Sequence, residues 1–430
     1  MQARTRITRR RFAAQMGALG LAATGLAGCL GGGIPGAPVT ATRRATEDPA
    51  MRPVPNPAFD AWLAQFRTRA RSRGITEATL DRGLRGAGFI PGVVERDRNQ
   101  AEFRRTLEDY LALVASEARV TEGRAAARQH AGLLSEIESR YGVESHVIAA
   151  IWGVESRYGQ RRGDIPVVSA TATLAFDGRR AQLFENQLLA ALRILQNGDT
   201  APERMVGSWA GAMGHTQFIP TTYAEYAVDF RGNGRRDIWS DDPTDALASA
   251  AAYLSRMGWR RGQPWGFEVR LPQSFPASAL GRGSTRSRAD WAGMGVTRAD
   301  GSALPDHGPA SIIAPMGVGT PAFMTFANFT TITRYNNSEN YVIGVGYLSD
   351  RIRGGGPLRG TFPPDRFGLT QDDRLELQRR LNAAGFDAGE PDGVLGPQTE
   401  AAIRGFQRAR GMTQTGTPSP GLLDALRGRS

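Results

Sequence analysis

Two stretches rich in glycine and proline divide the chain into parts that must fold separately. The first, residues 30–57, contains six prolines among glycine, alanine and threonine. The second begins at Gly354-Gly355-Gly356-Pro357 and continues to Pro363-Pro364. Segments of this composition bury little apolar surface. We therefore expect a disordered tether at residues 30–57 and a linker at residues 354–367.

The part before the tether, residues 1–29, is predicted to be an export signal. A basic cluster at residues 8–12 precedes an apolar run at 13–27 that is too short and too rich in glycine to span a membrane. The adjacent arginines followed by phenylalanine resemble a twin-arginine signal. The sequence LAGC at residues 26–29 resembles a bacterial lipobox, in which Cys29 is lipidated and becomes the mature N-terminus. The alternative is an ordinary secretory signal with an incidental cysteine.

Cysteine content and charge exclude two classes of protein. A single cysteine rules out an intramolecular disulfide and a multi-cysteine metal site. The formal net charge of +11 suggests an anionic partner. The basic residues are dispersed, however, and no basic helix with interleaved aromatic residues is present. Nucleic acid is therefore not expected as a partner.

Apolar periodicity predicts a mainly α body with a minor β component over residues 58–353. Phe59, Trp62 and Phe66 recur at helical spacing in its first segment. Further helices are predicted at residues 131–141, 145–158, 179–197 and 243–257. Strands are predicted at residues 266–271, 310–315 and 323–334. A small domain of three short helices is predicted at residues 368–428, since it has its own helical periodicity.

Glu155 lies where an ordinary helix would place an aliphatic residue. Val147, Ile151 and Val154 form an apolar stripe, and Glu155 falls within it, four residues after Ile151. A carboxylate there is costly unless it is paired, or protonated with a raised pKa. A raised pKa is what a general acid needs near neutral pH. The alternative is a helix-end glutamate that faces solvent or pairs with Arg157.

A second segment, residues 208–220, places Gln217 among glycine, alanine and aromatic residues. Glycine and alanine allow another chain to approach the backbone closely. Gln217 offers both a donor and an acceptor, which suits sugars that carry amide groups. A tightly packed turn or helix contact is the alternative for this segment alone.

Taken in order, these segments resemble the membrane-bound lytic transglycosylase B family of peptidoglycan-cleaving enzymes. GVESRYG at residues 153–159 is followed some fifty residues later by AGAMGHTQFIP, and the resemblance runs from about residue 59 to 353. It implies a lysozyme-like α+β fold with Glu155 at the end of a helix on the floor of a cleft. It also implies that the sugar sites are lined by Ser208, Gln217, Tyr335 and Asn336, with looser matches at Tyr110 and Tyr253.

The resemblance also implies a reaction with a single acid and base. Neither matched segment supplies the second carboxylate of an ordinary glycosidase. The substrate's N-acetyl oxygen would then assist cleavage of the MurNAc-GlcNAc β-1,4 bond, and Glu155 would help to close a 1,6-anhydromuramoyl product. Two alternatives stay open: a hydrolytic muramidase that uses Asp164, Asp177 or Glu185, and a peptidoglycan-binding lipoprotein scaffold without turnover.

The small C-terminal domain resembles the three-helix peptidoglycan-binding domain. Asp392-Gly393 and Gly396-Pro397 form tight turns, and Thr399 begins or caps the next helix. The resemblance implies a module that holds the enzyme on its polymer. Any small helical bundle with such a turn is the alternative.

One loop has the beginning of a calcium-binding pattern. Asp229 and Asn233 are spaced like the ligands of an EF-hand, but Arg231 occupies the third position and Ser240 the twelfth. We expect a metal-free loop and no required cofactor, while calcium binding stays open.

The expected partners are peptidoglycan glycan strands and, through lipidated Cys29, a membrane. The expected location is the periplasm, with the anchor in a bacterial envelope membrane, the outer one being favoured. The expected state is a monomer.

Overall fold

A computed structural model describes residues 48–99 and 105–428. These residues form seventeen α-helices and six short strands. The first eleven helices are α1 (Pro57–Ser72), α2 (Glu77–Gly83), α3 (Pro91–Arg98), α4 (Leu107–Val114), α5 (Glu117–Gln129), α6 (Ala131–Tyr141), α7 (Ser145–Ser156), α8 (Val167–Asp177), α9 (Ala181–Asn197), α10 (Pro220–Tyr226) and α11 (Thr244–Arg256). The last six are α12 (Arg288–Gly293), α13 (Ala327–Ile332), α14 (Glu339–Arg353), α15 (Gln371–Ala383), α16 (Pro397–Ala409) and α17 (Pro420–Leu426). The strands are β1 (Ile165–Pro166), β2 (Val206–Gly207), β3 (Gly266–Arg270), β4 (Thr297–Arg298), β5 (Ser311–Ile313) and β6 (Ala322–Thr325).

Helix α7 lies at the centre of the body. It packs against α5, α6, α11 and α14, and its middle residues are fully buried. A helix that is apolar on nearly all sides belongs in a protein interior, as α7 does. It ends at Arg157 and Tyr158, two consecutive residues with left-handed backbone angles (φ 51° and 55°). This turn redirects the chain directly after Glu155 and Ser156, the last residues of the helix.

A four-stranded antiparallel sheet supplies the β component, in the order β4-β3-β6-β5. One set of its side chains, including Ile312 and Met324, forms a separate buried cluster with Trp291 of α12, whereas Ile313 and Phe323 join the main core. The predicted strand at residues 323–334 is wrong beyond Thr325, because residues 327–332 form α13. Phe329 and Ile332 are three residues apart and both buried, which favours the helix over an alternating strand.

The end of the predicted tether is packed against the body. Met51 is buried beside Ile90 and Val93, and Val54 forms an antiparallel bridge with Phe89. Burial of Met51 and the backbone bonds of Val54 offset the ordering entropy of this segment. The disorder predicted for residues 30–57 is therefore wrong for residues 48–57. The export signal, Cys29 and residues 30–47 lie outside the described residues.

The C-terminal module, residues 369–428, consists of α15, α16 and α17 around its own small apolar core. Thr370 and Asp373 cap the start of α15 reciprocally, each side chain accepting from the other's backbone N–H. The segment before the module is bound to the sheet, because the backbone N–H groups of Arg359 and Gly360 donate to the Glu268 carboxylate. Across residues 48–99 and 105–428, no helix combines the length and apolar character needed to cross a membrane.

Candidate active site

Glu155 is buried in the last turn of α7, with only 6% of its surface exposed. Arg157, the alternative partner considered above, forms an ion pair with Glu122 instead, at 2.6 Å. The carboxyl group of Glu155 is therefore shielded from bulk solvent and does not pair with Arg157.

A tyrosine from another helix holds the Glu155 carboxyl group. The hydroxyl of Tyr341, in the first turn of α14, donates to Glu155 Oε1 at 2.6 Å. Tyr341 is almost fully buried. Burial raises the pKa of Tyr341 well above its ordinary value, and the neighbouring Glu155 charge adds to this effect. Tyr341 therefore stays protonated and remains a donor over the whole physiological range.

Three further tyrosine rings continue from Tyr341 in a row, which is called the tyrosine wall below. Tyr335 stacks on Tyr341 with ring centroids 6.4 Å apart and an interplanar angle of 10°. Tyr253 meets Tyr335 edge-on at 5.3 Å, and Tyr226 meets Tyr253 edge-on at 4.8 Å. Offset and edge-on ring pairs of this kind form rigid surfaces. The four tyrosines therefore hold one another in place beside Glu155.

Two of these tyrosines are fixed by hydrogen bonds to backbone. Tyr335 donates to the carbonyl oxygen of Thr216 at 2.6 Å, and Tyr253 donates to that of Arg334. Burial raises the pKa of Tyr253 to about 12. Burial likewise raises the pKa of Tyr335, and the Glu155 charge contributes. The Tyr335 hydroxyl group is therefore close enough to Glu155 for the two groups to interact electrostatically.

The tight loop at residues 207–218 packs directly against these tyrosines, since Phe218 contacts the rings of Tyr253 and Tyr335. Met213 and Phe218 exchange two backbone hydrogen bonds, and Gly214 lies so close to the carbonyl of Ile238 that a Cβ would collide with it. Gly214 also has a positive φ of 70°, so glycine is required there on two grounds. The small residues of this segment therefore allow the chain to make a sharp turn.

Gln217 is held in this loop in a strained backbone conformation. Its φ of 52° is unusual for a residue other than glycine, and such strain is common at functional sites. Its side-chain Nε2 donates to the carbonyl oxygens of Gly214 and Arg162 at 2.8 and 3.0 Å. Its Oε1 is buried and accepts no hydrogen bond from the described residues. That oxygen can accept from an N–H or O–H group of a ligand.

The other predicted site residues, Ser208, Asn336 and Tyr110, lie in three separate segments of the body. Ser208 begins the loop, and its Oγ accepts from the N–H of Ala212 at 3.1 Å. Asn336 accepts from the N–H of Ser338 at 3.0 Å, just before α14. Tyr110 of α4 is 9% exposed and neighbours Tyr341. The structure thus brings Glu155 together with the row of tyrosines that begins at Tyr341, while Ser208 and Asn336 act locally in their own turns.

Two of the three carboxylates considered for a two-carboxylate mechanism are engaged elsewhere. Asp177 pairs with Arg98 at 2.6 Å, and Glu185 pairs with Arg69 through two bonds of 3.0 Å. Both pairs fasten the N-terminal helices to α8 and α9. These contacts do not favour either group as a partner of Glu155.

A family model described as the transglycosylase SLT domain matches residues 58–350. The chain belongs to the lytic transglycosylase family. A second model, described as a peptidoglycan binding domain, matches residues 370–426. The membrane-bound lytic murein transglycosylase B of Escherichia coli is 35% identical to this chain over 228 residues. That match covers 52% of this chain and 61% of the relative, less than two thirds of the relative's length.

Two solved lytic transglycosylase structures are similar to this chain. SltB3 of Pseudomonas aeruginosa, in complex with NAG-anhNAM-pentapeptide, is 46% identical, covering 86% of this chain and 100% of that chain with a TM-score of 0.70. The Escherichia coli lytic transglycosylase Slt35, in complex with calcium, is 30% identical, covering 69% of this chain and 93% of that chain with a TM-score of 0.58. The expected mainly helical, lysozyme-like fold is confirmed.

Because one relative holds calcium, the loop at Asp229 requires a test of fit. The Asp229 carboxylate already accepts from the backbone N–H groups of Gly232, Asn233 and Gly234, at 2.7 to 3.0 Å. Arg231 pairs with Glu136 and brings a cation to the loop. Within the described ranges, no group of three or more His, Cys, Asp or Glu side chains could hold a metal ion. The backbone donors at Asp229 and the cationic Arg231 do not favour calcium binding in this loop.

Sequence reasoning missed Tyr341 and Tyr226. Tyr341 begins the apolar run YVIGVGYL in α14, a pattern that reads as ordinary core. Its relation to Glu155 spans 186 positions and arises only when α14 packs on α7. The only sequence signal for Tyr341 was that a single tyrosine follows the polar residues at the start of α14.

Proposed function

We propose that this lytic transglycosylase family member cleaves the MurNAc-GlcNAc β-1,4 bond of peptidoglycan and forms a 1,6-anhydromuramoyl end, with Glu155 as its single acid and base. The observation that carries the proposal is the buried Glu155 carboxyl group, held by Tyr341 at the end of α7 and facing the tyrosine wall. A positioned carboxyl group within reach of the leaving oxygen is what general acid–base catalysis requires.

In the proposed first step, Glu155 donates its proton to the O4 of the leaving GlcNAc residue. The N-acetyl oxygen of MurNAc attacks C1 as the bond to O4 breaks, which gives an oxazolinium intermediate. In the second step, the Glu155 carboxylate takes the proton of the MurNAc C6 hydroxyl. O6 then attacks C1, the bond from C1 to the N-acetyl oxygen breaks, and the 1,6-anhydro ring closes without consuming water.

Two residues have supporting roles in this proposal. Tyr341 remains a hydrogen-bond donor to Glu155 throughout, so it stabilises the carboxylate between the two steps. Gln217 presents its buried Oε1 as an acceptor for a sugar N–H or O–H group. The tyrosine wall stacks against sugar rings, while Ser208 and Asn336 shape the turns that border them.

Transglycosylation is favoured over hydrolysis by two carboxylates, because two of the other acids considered are already paired with arginines. Asp177 and Glu185 are committed to arginine pairs on α8 and α9. The relative SltB3 was solved with a ligand that carries an anhydro-sugar, NAG-anhNAM-pentapeptide. That ligand is the kind of product the proposed reaction would form.

The test is product analysis by mass spectrometry after the purified protein digests insoluble peptidoglycan. The proposal requires fragments with anhydromuramoyl ends, which are 18 mass units lighter than reducing ends formed by hydrolysis. Reducing ends would establish a hydrolase, and an intact polymer would establish a scaffold. Heat-inactivated protein gives the background of pre-existing ends.

We further propose that the protein is exported, lipidated at Cys29 and anchored in an envelope membrane, favouring the outer one, where its module binds peptidoglycan. The membrane-bound E. coli relative supports this location. Radioactive palmitate should label the wild-type protein and not a Cys29→Ala variant. The proposal fails if the wild-type protein is unlabelled or fractionates with soluble periplasmic proteins.

A further inference from the structure

A buried arginine joins the C-terminal module to the catalytic body. Arg374 lies in the first turns of α15 and is 3% exposed. Its Nη2 donates to Oε2 of Glu108, in α4 of the body, at 2.6 Å, and lies 3.4 Å from Asp109 of the same helix. Its Nη1 donates to Asp365, just before the module, at 3.1 Å. The guanidinium of Arg374 therefore contacts three carboxylates, two in α4 of the body and one just before the module.

This contact differs in character from the rest of the module. The apolar core of the module and the main apolar core of the body are separate clusters. A buried ion pair adds little net stability, but removal of one partner leaves an uncompensated charge and is strongly unfavourable. Burial raises the pKa of Glu108, partly offset by Arg374, which is consistent with a group that depends on its partner. The cluster is therefore suited to fixing one geometry between the two parts.

The part of the body that the Arg374 cluster holds in position is helix α4. Glu108 and Asp109 lie in the first turn of this eight-residue helix, and Tyr110 follows them directly. The ring of Tyr110 rests on Gly344 of α14 so closely that a Cβ at Gly344 would lie 2.7 Å from it. An eight-residue helix is not stable by itself and depends on its tertiary contacts. Arg374 holds α4 from one side and α14 supports it from the other.

We propose that Arg374, although it belongs to the wall-binding module, is a positioning residue for the catalytic cleft, because it holds α4 and thereby places Tyr110 beside Tyr341 and the sugar site. The module then has a second role besides retention on the polymer. This inference rests on the proposed function for its kinetic consequences, but the placement of α4 does not depend on activity.

The first test compares Arg374→Gln with the wild-type chain on soluble, uncrosslinked glycan strands, which lessens the contribution of wall retention. We expect KM to rise about tenfold with kcat changed less than about threefold, because the proposal gives Tyr110 a contact with sugar and no part in proton transfer. Arg374→Lys should recover part of the loss. Arg380→Gln is the matched control, because Arg380 is a half-exposed arginine of the same helix that pairs with Glu376 inside the module.

The second test asks whether Arg374 acts through Tyr110. Tyr110→Ala alone should raise KM, and adding Arg374→Gln to it should change KM by less than about twofold. Fully additive effects would overturn the proposal. A fall in kcat at unchanged KM would also overturn it, since that pattern indicates a smaller fraction of folded enzyme.

The third test uses amide hydrogen exchange and requires no activity. Exchange at residues 107–114 should increase in Arg374→Gln and stay at the wild-type level in Arg380→Gln, while α7 stays protected in both. Unchanged exchange at residues 107–114 would overturn the positioning role. If the wild-type chain releases no anhydromuramoyl product, the proposed function fails, while this measurement still decides whether Arg374 holds α4.

Discussion

Tyr341 donates a 2.6 Å hydrogen bond to Oε1 of Glu155, joining the first turn of α14 to the last turn of α7. Both groups are buried, so water does not compete effectively for either of them. A hydrogen bond to a charged group contributes about 1.5 to 3 kcal/mol. Tyr341→Phe should therefore lower kcat roughly 10- to 100-fold, measured as release of anhydromuramoyl fragments.

The matched control for Tyr341→Phe is Tyr223→Phe. Tyr223 is also fully buried, but its hydroxyl donates to the carbonyl oxygen of Arg236. This control should lose some stability and retain kcat. Equal kcat in Tyr341→Phe and the wild-type protein would exclude a supporting role of Tyr341 in catalysis.

Replacement of Glu155 should separate catalysis from wall binding. Glu155→Gln keeps the size of the side chain and can still accept from Tyr341, but it cannot transfer a proton. We expect product release to fall by about 10² to 10⁴. Cosedimentation with insoluble peptidoglycan should be unchanged, because the module is intact. An active glutamine variant would end the assignment of Glu155.

His215 should make folding stability depend on pH. It is 3% exposed, its Nδ1 accepts from Trp152 Nε1 at 3.1 Å, and its Nε2 donates to the carbonyl oxygen of Ser240 at 2.8 Å. These contacts fit a neutral imidazole with its proton on Nε2. Burial lowers the pKa of His215 to about 4, from an ordinary value of 6.5.

Because the folded pKa lies below the unfolded one, the unfolded state binds more protons between these values. The free energy of unfolding should then decrease as pH falls from 6.5 to 4, by up to about 3 kcal/mol, from 1.36 kcal/mol per pH unit over about 2.5 pH units. Urea denaturation at pH 7 and pH 4.5 measures this. His215→Gln should show a smaller decrease than wild type, and His307→Gln, beside the sheet, should not. An unaltered pH dependence in His215→Gln contradicts the prediction.

Calcium should not stabilise this chain. Since Asp229 is satisfied by backbone N–H groups and Arg231 occupies a ligand position, melting temperatures in calcium and in EGTA should agree within about 1 °C. A ligand at 100 times its Kd would add about 2.7 kcal/mol and raise the melting temperature by several degrees. Asp229→Ala should lower it equally in both buffers. A rise in calcium that Asp229→Ala abolishes would show that the loop binds the ion.

Local sequence patterns predicted much of the fold because the governing interactions are local. Helix α6 has the predicted bounds, since Gly142 ends it in a left-handed conformation. The failure at residues 327–332 has a tertiary cause. Thr331 has β propensity, but its Oγ1 donates to the carbonyl oxygen of Ala327, and the amide of Asn328 binds the loop at Arg260 and Gln263.

The sequence could indicate a candidate site residue only where that residue was anomalous for its position. Glu155 stands out in an apolar stripe, and Gln217 stands out among small residues. Tyr341 is an unremarkable member of its helix, and Arg374 is one of many exposed-looking arginines in the sequence. Their roles depend on contacts across 186 and 266 positions, which no local pattern encodes.

The packing of residues 48–57 sets the distance over which a membrane anchor at Cys29 could hold the body. Asp48 is 19 residues beyond Cys29, and a fully extended chain of that length spans at most about 65 Å. Free chain as far as Pro57 would have allowed about 95 Å. The bridge between Val54 and Phe89 therefore shortens the free tether by about 30 Å. The body of a molecule anchored at Cys29 would therefore begin within about 65 Å of its anchor.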